Sequence, residues 1–208
     1  MADARSTGLA GLDAQLGGGV PPGTVHLLLG EPMNAVELFT YHFAMGGKAS
    51  KTLFLTTSGS EEEIRAGVGM VGGDPAKVTV QVMDRAKPAP PPSPVNGSRY
   101  IIDSFSELAI RVGWDAAYER LQDLRAKTRQ TKSNLLITVT PDLHTQREIA
   151  LLKQWADGVL ELGFDRQGFG LYPYLKVTKM RGVPDSARFL LFKETERGLF
   201  MESTRRVF

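Results

Sequence analysis

The sequence predicts an α/β fold, a mainly parallel sheet with helices on both faces and an antiparallel hairpin region at the C-terminus. Three observations carry this. Short apolar runs alternate with segments of helical spacing through residue 158, the pattern of βα units. After that point the helical spacing stops and only strand-like runs follow. The 208 residues suit one core-forming domain, and neither an internal repeat nor a composition shift divides them.

Taken in order, "TVHLLLG" (24–30) is a buried-type strand closed by glycine, and "NAVELFTYHFAMGG" (34–47) places Val36, Phe39, Tyr41, Phe43 and Ala44 near helical spacing. "KTLFLTT" (51–57) is a second strand. "SEEEIRAGVGMVGG" (60–73) opens with Ser60 and, three residues on, Glu63, the capping-box signature. "KVTVQVMD" (77–84) alternates as a strand does. "AKPAPPPSPVNGS" (86–98) has prolines at 88, 90, 91, 92 and 94. These fix φ and remove donors, so an exposed, semi-stiff loop is expected. "RYIIDSF" (99–105) is a buried strand with an acidic end, and "WDAAYERLQDLRAKTRQTK" (114–132) is an amphipathic helix with Trp114, Ala117, Tyr118, Leu121 and Leu124 on one face. "SNLLITVTP" (133–141) is a strand and "TQREIALLKQWADG" (145–158) a helix ending in glycine. "GVLELGFD", "LYPYLKVTKM", "ARFLLFKE" and "GLFMES" are the closing strands.

Composition limits function. A net charge of +2 gives no reason to expect a nucleic-acid partner. The absence of cysteine rules out disulfides and thiolate metal sites. No apolar run reaches the roughly 18–20 residues of a membrane span, and "MADARSTG" has no signal-like apolar core. A cytoplasmic protein is expected.

The loop after the first strand is where chemistry is expected. A phosphate-binding loop of the form G-x-x-x-x-G-K-[ST] uses backbone amides, a lysine for the β and γ phosphates and a hydroxyl for magnesium. Laid on "GEPMNAVE" from Gly30, the second glycine falls on Ala35, the lysine on Val36 and the hydroxyl on Glu37. All three positions fail, and Glu37 sets a carboxylate where phosphates would lie.

The surrounding motifs nevertheless resemble the KaiC-like branch of the RecA superfamily of ATPases. "STGLAGLDAQLGGGVPPGTVHLLLGEP" is similar to that family's lead-in, "YIIDSFSEL" (100–108) to its Walker B strand, "ADGVLELG" (156–163) to the strand before its terminal hairpin, and "LKVTKMRGVPDSARFLLFKETERGLFME" (175–202) to its closing Lys-Met-Arg-Gly segment. The similarity spans roughly residues 6–202. It implies a single RecA-like domain over 1–208 and a vestigial nucleotide site at Gly30, Glu31, Pro32 and Asp103, with Asp103 as the magnesium-side acid. It also implies that Lys179 and Arg181 lie at a subunit interface, where the family's basic pair reaches a neighbour's phosphates. The pairing of both with surface acids such as Asp185 is the alternative. The family's water-polarising Glu-Glu pair is matched here by Ser58 and Gly59, and Glu61–Glu63 fall in the next helix turn, where they complement its dipole.

His26, His42 and His144 show no ligand spacing and read as packing or surface residues, so no metal is expected. Lys127, Arg129 and Lys132 read as a basic helix end. Arg205 and Arg206 are too few for a nucleic-acid site. The expectation is therefore a non-catalytic KaiC-like homologue that works by binding, as a regulatory or scaffolding subunit. It has no catalytic residues and no required cofactor, with weak ATP–magnesium binding at most. Its partner is a protein, such as an intact KaiC-like paralogue or further copies of itself. Two alternatives stay open: an ATPase with an unorthodox loop, and a RadA-like paralogue that binds single-stranded DNA.

Overall fold

The computed structural model describes residues 4–31, 34–46, 51–84, 92–167, 170–183 and 188–202. Within them the chain runs α1 (Ala10–Gln15), β1 (Val25–Leu29), α2 (Asn34–Met45), β2 (Thr52–Thr56), α3 (Glu61–Met70), β3 (Val78–Val82), β4 (Arg99–Asp103), α4 (Phe105–Val112), α5 (Trp114–Gln130), β5 (Asn134–Val139), α6 (Gln146–Trp155), β6 (Gly158–Gln167), β7 (Gly170–Met180), β8 (Arg188–Thr195) and β9 (Gly198–Met201). The nine strands form one sheet in the order β3-β2-β4-β5-β1-β6-β7-β8-β9. Neighbours are parallel from β3 to β6 and antiparallel from β6 to β9.

Both faces of β1, β4 and β5 are buried, which is why these strands read as continuous apolar runs, whereas the edge strand β3 is partly exposed and alternates. Successive residues separate onto two cores. Leu28, Ile101 and Leu136 join Phe39, Phe43 and Phe54 on the α2–α3 side. Leu27, Ile102 and Ile137 join Phe105, Leu121 and Trp155 on the α4–α5–α6 side.

Helices α3, α4 and α6 start at side-chain caps. Ser60 and Glu63 form the expected capping box on α3, and Thr145 and Glu148 form a second on α6. Helix α4 was not anticipated. Ser104 caps it by accepting from the Glu107 amide, and Gly113, at φ +86°, turns the chain directly into α5. The short α1 was also missed. The lead-in that contains it is a hydrogen-bonded unit. Asp13 accepts from the Ser6 hydroxyl at 2.5 Å and from the Thr7 amide and hydroxyl at 2.7 Å each. Gly8 sits at φ +87° with no room for a Cβ, which would lie 1.9 Å from the His42 carbonyl oxygen.

The proline-rich segment departs in part from its expected exposure. Residues 85–91 lie outside the described residues. In the remainder Pro94 and Ser98 are buried. The Gly97 amide donates to Thr131 O at 2.8 Å, and Gly97 O accepts from Arg5 at 2.9 Å. A proline has no N–H to satisfy, so Pro94 can be buried without leaving a donor unpaired.

Candidate functional site

A cavity of about 340 Å³ opens at the carboxyl edge of β1, β4 and β5, the end where parallel α/β sheets place ligands. It brings together three of the expected residues, Gly30, Glu31 and Asp103, with Val36, Glu37, Ser58, Ser104, Thr138 and Thr140 also in its wall. Pro32 lies outside the described residues. Val36 covers Gly30 so closely that a Cβ on the glycine would be 2.7 Å from Val36 Cγ2. A branched apolar side chain thus fills the place where a phosphate loop would present its lysine.

Asp103 stands at the end of β4 and accepts from the Thr138 hydroxyl at 2.5 Å. Its carbonyl accepts from the Thr57 amide at 2.8 Å, the Thr57 hydroxyl receives the Ser104 amide at 3.0 Å, and the Asp103–Ser104 peptide is cis. Burial pushes the Asp103 carboxyl up, against the opposing effect of the Thr138 hydrogen bond. Glu37 is pushed up by burial and then by the charges of Asp103 and Glu63. The same three acids, after burial, help drive the Tyr41 phenol up to about 12. The cavity is therefore a region of unbalanced negative potential. No lysine or arginine lines it among the described residues. Glu37 and Asp103 are oxygen ligands of the kind magnesium takes, but a triphosphate would find no lysine or arginine in this wall to oppose its charge, so the residues present do not fit the whole group. Ser58 is in the wall, but Gly59 serves only to close a turn, its amide donating to the Thr56 hydroxyl at 2.9 Å.

Lys179 and Arg181 are not part of this site. They lie at the opposite, amino edge of the parallel strands. Lys179 Nζ donates to the carbonyls of Lys153 (3.2 Å), Gln154 (3.3 Å) and Ala156 (2.6 Å), closing the C-terminus of α6. Arg181 reaches Asp157 at 3.2 Å. Arg129, expected only to complement a helix dipole, also meets Asp157, together with Arg125. The three histidines each hold a local contact. His26 Nε2 pairs with the Thr24 hydroxyl at 2.8 Å, His42 Nε2 accepts from the Leu199 amide at 2.9 Å, and His144 Nε2 pairs with Ser106 at 2.9 Å.

Sequence reading missed Thr138 and Thr140 in the cavity wall. Their signal was a hydroxyl recurring at the apolar strand's carboxyl end in "LLITVTP". It also missed the arginines around Asp157, whose signal was the i, i+4 spacing of Arg125 and Arg129 on one helix face.

A parallel sheet extended by antiparallel C-terminal strands, with a cavity behind the loop that follows β1, is the RecA-like fold of the KaiC type. A KaiC-like protein of the hyperthermophilic archaeon Pyrococcus horikoshii shares it, with a TM-score of 0.74 over 95% of this chain and 97% of that one, at 20% identity. The chain belongs to a family of unknown function, DUF7125, whose model matches residues 4–194. It is also similar to a UPF0273 protein of Aeropyrum pernix, 23% identical over 97% of this chain and 94% of that protein.

Proposed function

We infer that this chain is a KaiC-like homologue that no longer hydrolyses ATP and acts by binding, as a regulatory or scaffolding subunit. One observation carries the inference: Glu37 stands with Asp103 in a cavity that has no lysine or arginine among the described residues, beside Val36 packed on Gly30. Phosphoryl transfer depends on cations placed around the transferring group, and here the position of the lysine holds a methyl-bearing side chain and that of the magnesium hydroxyl a carboxylate. Neither Ser58 nor Gly59 offers a base for an attacking water. The fold itself remains whole, with both cores packed, which suits a protein kept for its surface.

The partner is a protein, an intact KaiC-like paralogue being the first candidate, and self-association is the second. A cytoplasmic location belongs to the same proposal. Among the described residues no helix is long and apolar enough to cross a membrane. Calorimetry with ATP and magnesium is the test. Weak binding at most and no phosphate release is the expected result. Robust magnesium-dependent hydrolysis by contaminant-free protein would instead make the chain an ATPase with an unorthodox loop. Salt-sensitive capture of single-stranded DNA would mark it as a DNA-binding paralogue.

A further inference from the structure

At the amino edge of the parallel sheet, away from the Asp103 cavity, three guanidinium groups converge on one carboxylate oxygen. Arg125 Nη2, Arg129 Nη2 and Arg181 Nη1 lie 3.2, 3.3 and 3.2 Å from Asp157 Oδ1. Asp157 itself is buried, with 3% of its side chain exposed, and its second oxygen accepts the Val25 amide at 3.2 Å. Burial acts to raise its carboxyl, but the Val25 amide and the Arg181 and Arg125 guanidiniums outweigh it and hold the group below the usual range. Asp157 is therefore an anion, and the cluster carries three positive charges against one negative.

A buried carboxylate needs about one cation for compensation. Three leave an excess of two. Each arginine meets Asp157 through a single nitrogen, so no guanidinium spends its two-pronged face on the carboxylate. Arg125 Nε is buried with no acceptor among the described residues. The outer two arginines have 47% (Arg129) and 65% (Arg181) of their side chains exposed, and their remaining N–H groups have no other protein acceptor among the described residues. Paired forks with spare donors and a net charge of +2 are the arrangement that chelates a doubly charged oxyanion.

We propose that Arg125, Arg129 and Arg181, organised by Asp157, form a binding site for a dianionic oxyanion of the phosphate class. All three arginines come from one chain, so the site needs no second copy. Asp157 fixes the inner edges of the guanidiniums, and the anion takes the outer edges of Arg129 and Arg181.

The experiment is calorimetric titration of the intact chain with inorganic phosphate, sulfate and a simple phosphomonoester at about pH 8, where phosphates are dianions. Chloride at matched ionic strength is the reference, and the arginine Nε–H resonances are followed in parallel. Binding of phosphate and sulfate at one shared site is expected, with shifts at Arg129 and Arg181. A tighter phosphomonoester would identify an esterified phosphate as the natural source, and equal affinity would identify free phosphate. Arg129→Gln and Arg181→Gln should each weaken binding by on the order of tenfold and together abolish it. Arg125 stays with Asp157 in both, so the fold is retained. Lys127→Gln, an exposed cation on the same helix, should change affinity less than about twofold. Binding no stronger than that of chloride, or binding that survives the double variant, overturns the proposal. ATP also carries a terminal phosphate that this site would take, so heat from ATP that vanishes in the Arg129→Gln, Arg181→Gln double variant belongs to this site, and heat that survives it belongs to the Asp103 cavity.

Discussion

Thr138 donates its hydroxyl to Asp103 at 2.5 Å, across the parallel pair of β4 and β5 and one position beyond the Ile102–Ile137 register. This contact holds an acid at the strand end whether or not any metal is bound. A retained Asp103 is thus explained by the floor of the cavity, and its presence does not require surviving chemistry.

The first prediction concerns that acid. Asp103 has a raised carboxyl in the fold because it is buried. A carboxyl raised by folding stabilises while protonated, and the benefit is lost as pH rises through the folded value. Asp103→Asn keeps an acceptor for Thr138 and removes the charge. Its melting temperature should exceed that of the parent at pH 8, and the gap should close as pH falls toward 4. A constant gap across that range would mean that the Asp103 charge costs the fold nothing.

The phosphate loop can be tested by reconstruction. Ala35→Gly, Val36→Lys and Glu37→Thr together supply the glycine, lysine and hydroxyl that "GEPMNAVE" lacks. Calorimetry should then detect tighter ATP–magnesium binding than in the parent. Turnover should stay absent, because Ser58 and Gly59 still provide no base. Phosphate release by the triple variant would show that the loop alone had been limiting.

A third prediction concerns acid stability. His26 is fully buried and pushed down to about 4 by that burial, against the pull of Asp157. Its unfolded value is about 6.5, so between those two values the unfolded chain binds more protons than the folded one. Stability should fall as pH drops from about 6.5 toward 4, by on the order of 3 kcal/mol from this residue. Urea unfolding at pH 7 and pH 4 measures it. His26→Gln keeps a polar partner for Thr24 and should flatten the decline; an unchanged slope would assign the acid sensitivity to other groups.

The sheet was legible because doubly buried strands leave long apolar runs and because Ser60–Glu63 and Lys-Met-Arg-Gly are local signals. Helix α4 was hidden in plain view. "SFSE" carries the same start signal as Ser60–Glu63, but it follows directly on β4 with only Ser104 between strand and helix, so no turn residues mark the boundary. Other features depend on residues far apart in sequence. Arg99 is buried, donating to Phe43 O at 2.7 Å and to the Ser6 carbonyl, with its guanidinium 4.5 Å from the Phe43 ring centroid. Nothing beside it in "SRYIID" announces that. The Glu37–Asp103 repulsion and the arginines on Asp157 likewise exist only after the sheet has aligned their elements.

The proline-rich segment should divide into a dispensable and a required part. Replacing 86–91 by a short Gly-Ser turn should move the melting temperature by less than about 2 °C, because loop closure depends weakly on length. Extending the replacement through Ser98 removes buried Pro94 and the Gly97 contacts to Thr131 and Arg5. That change should cost several degrees, at about 2–4 °C per kcal/mol for a chain of this size. Equal melting of the two variants would show that the segment packs no better after Pro94 than before it.

Lys179 and Arg181 should separate in the same kind of measurement. Lys179 closes α6 through three carbonyls, and a cation at a helix C-terminus contributes about 0.3–2 kcal/mol. Lys179→Met should therefore lower the melting temperature by about 1–6 °C. Arg181 is one of three arginines on Asp157 and mostly exposed, so Arg181→Gln should cost under about 1 kcal/mol. The resemblance to KaiC-like proteins gives the pair a different task, offering a cation to a neighbour's phosphates. For Lys179 that task requires releasing all three carbonyls of α6 first. Mixed with a KaiC-like paralogue from the same cell, the Lys179→Met chain should bind as the parent does and leave phosphate release by the paralogue unchanged relative to the parent. If parent stimulates release and the variant binds without stimulating, Lys179 leaves its helix in the complex and acts across the interface.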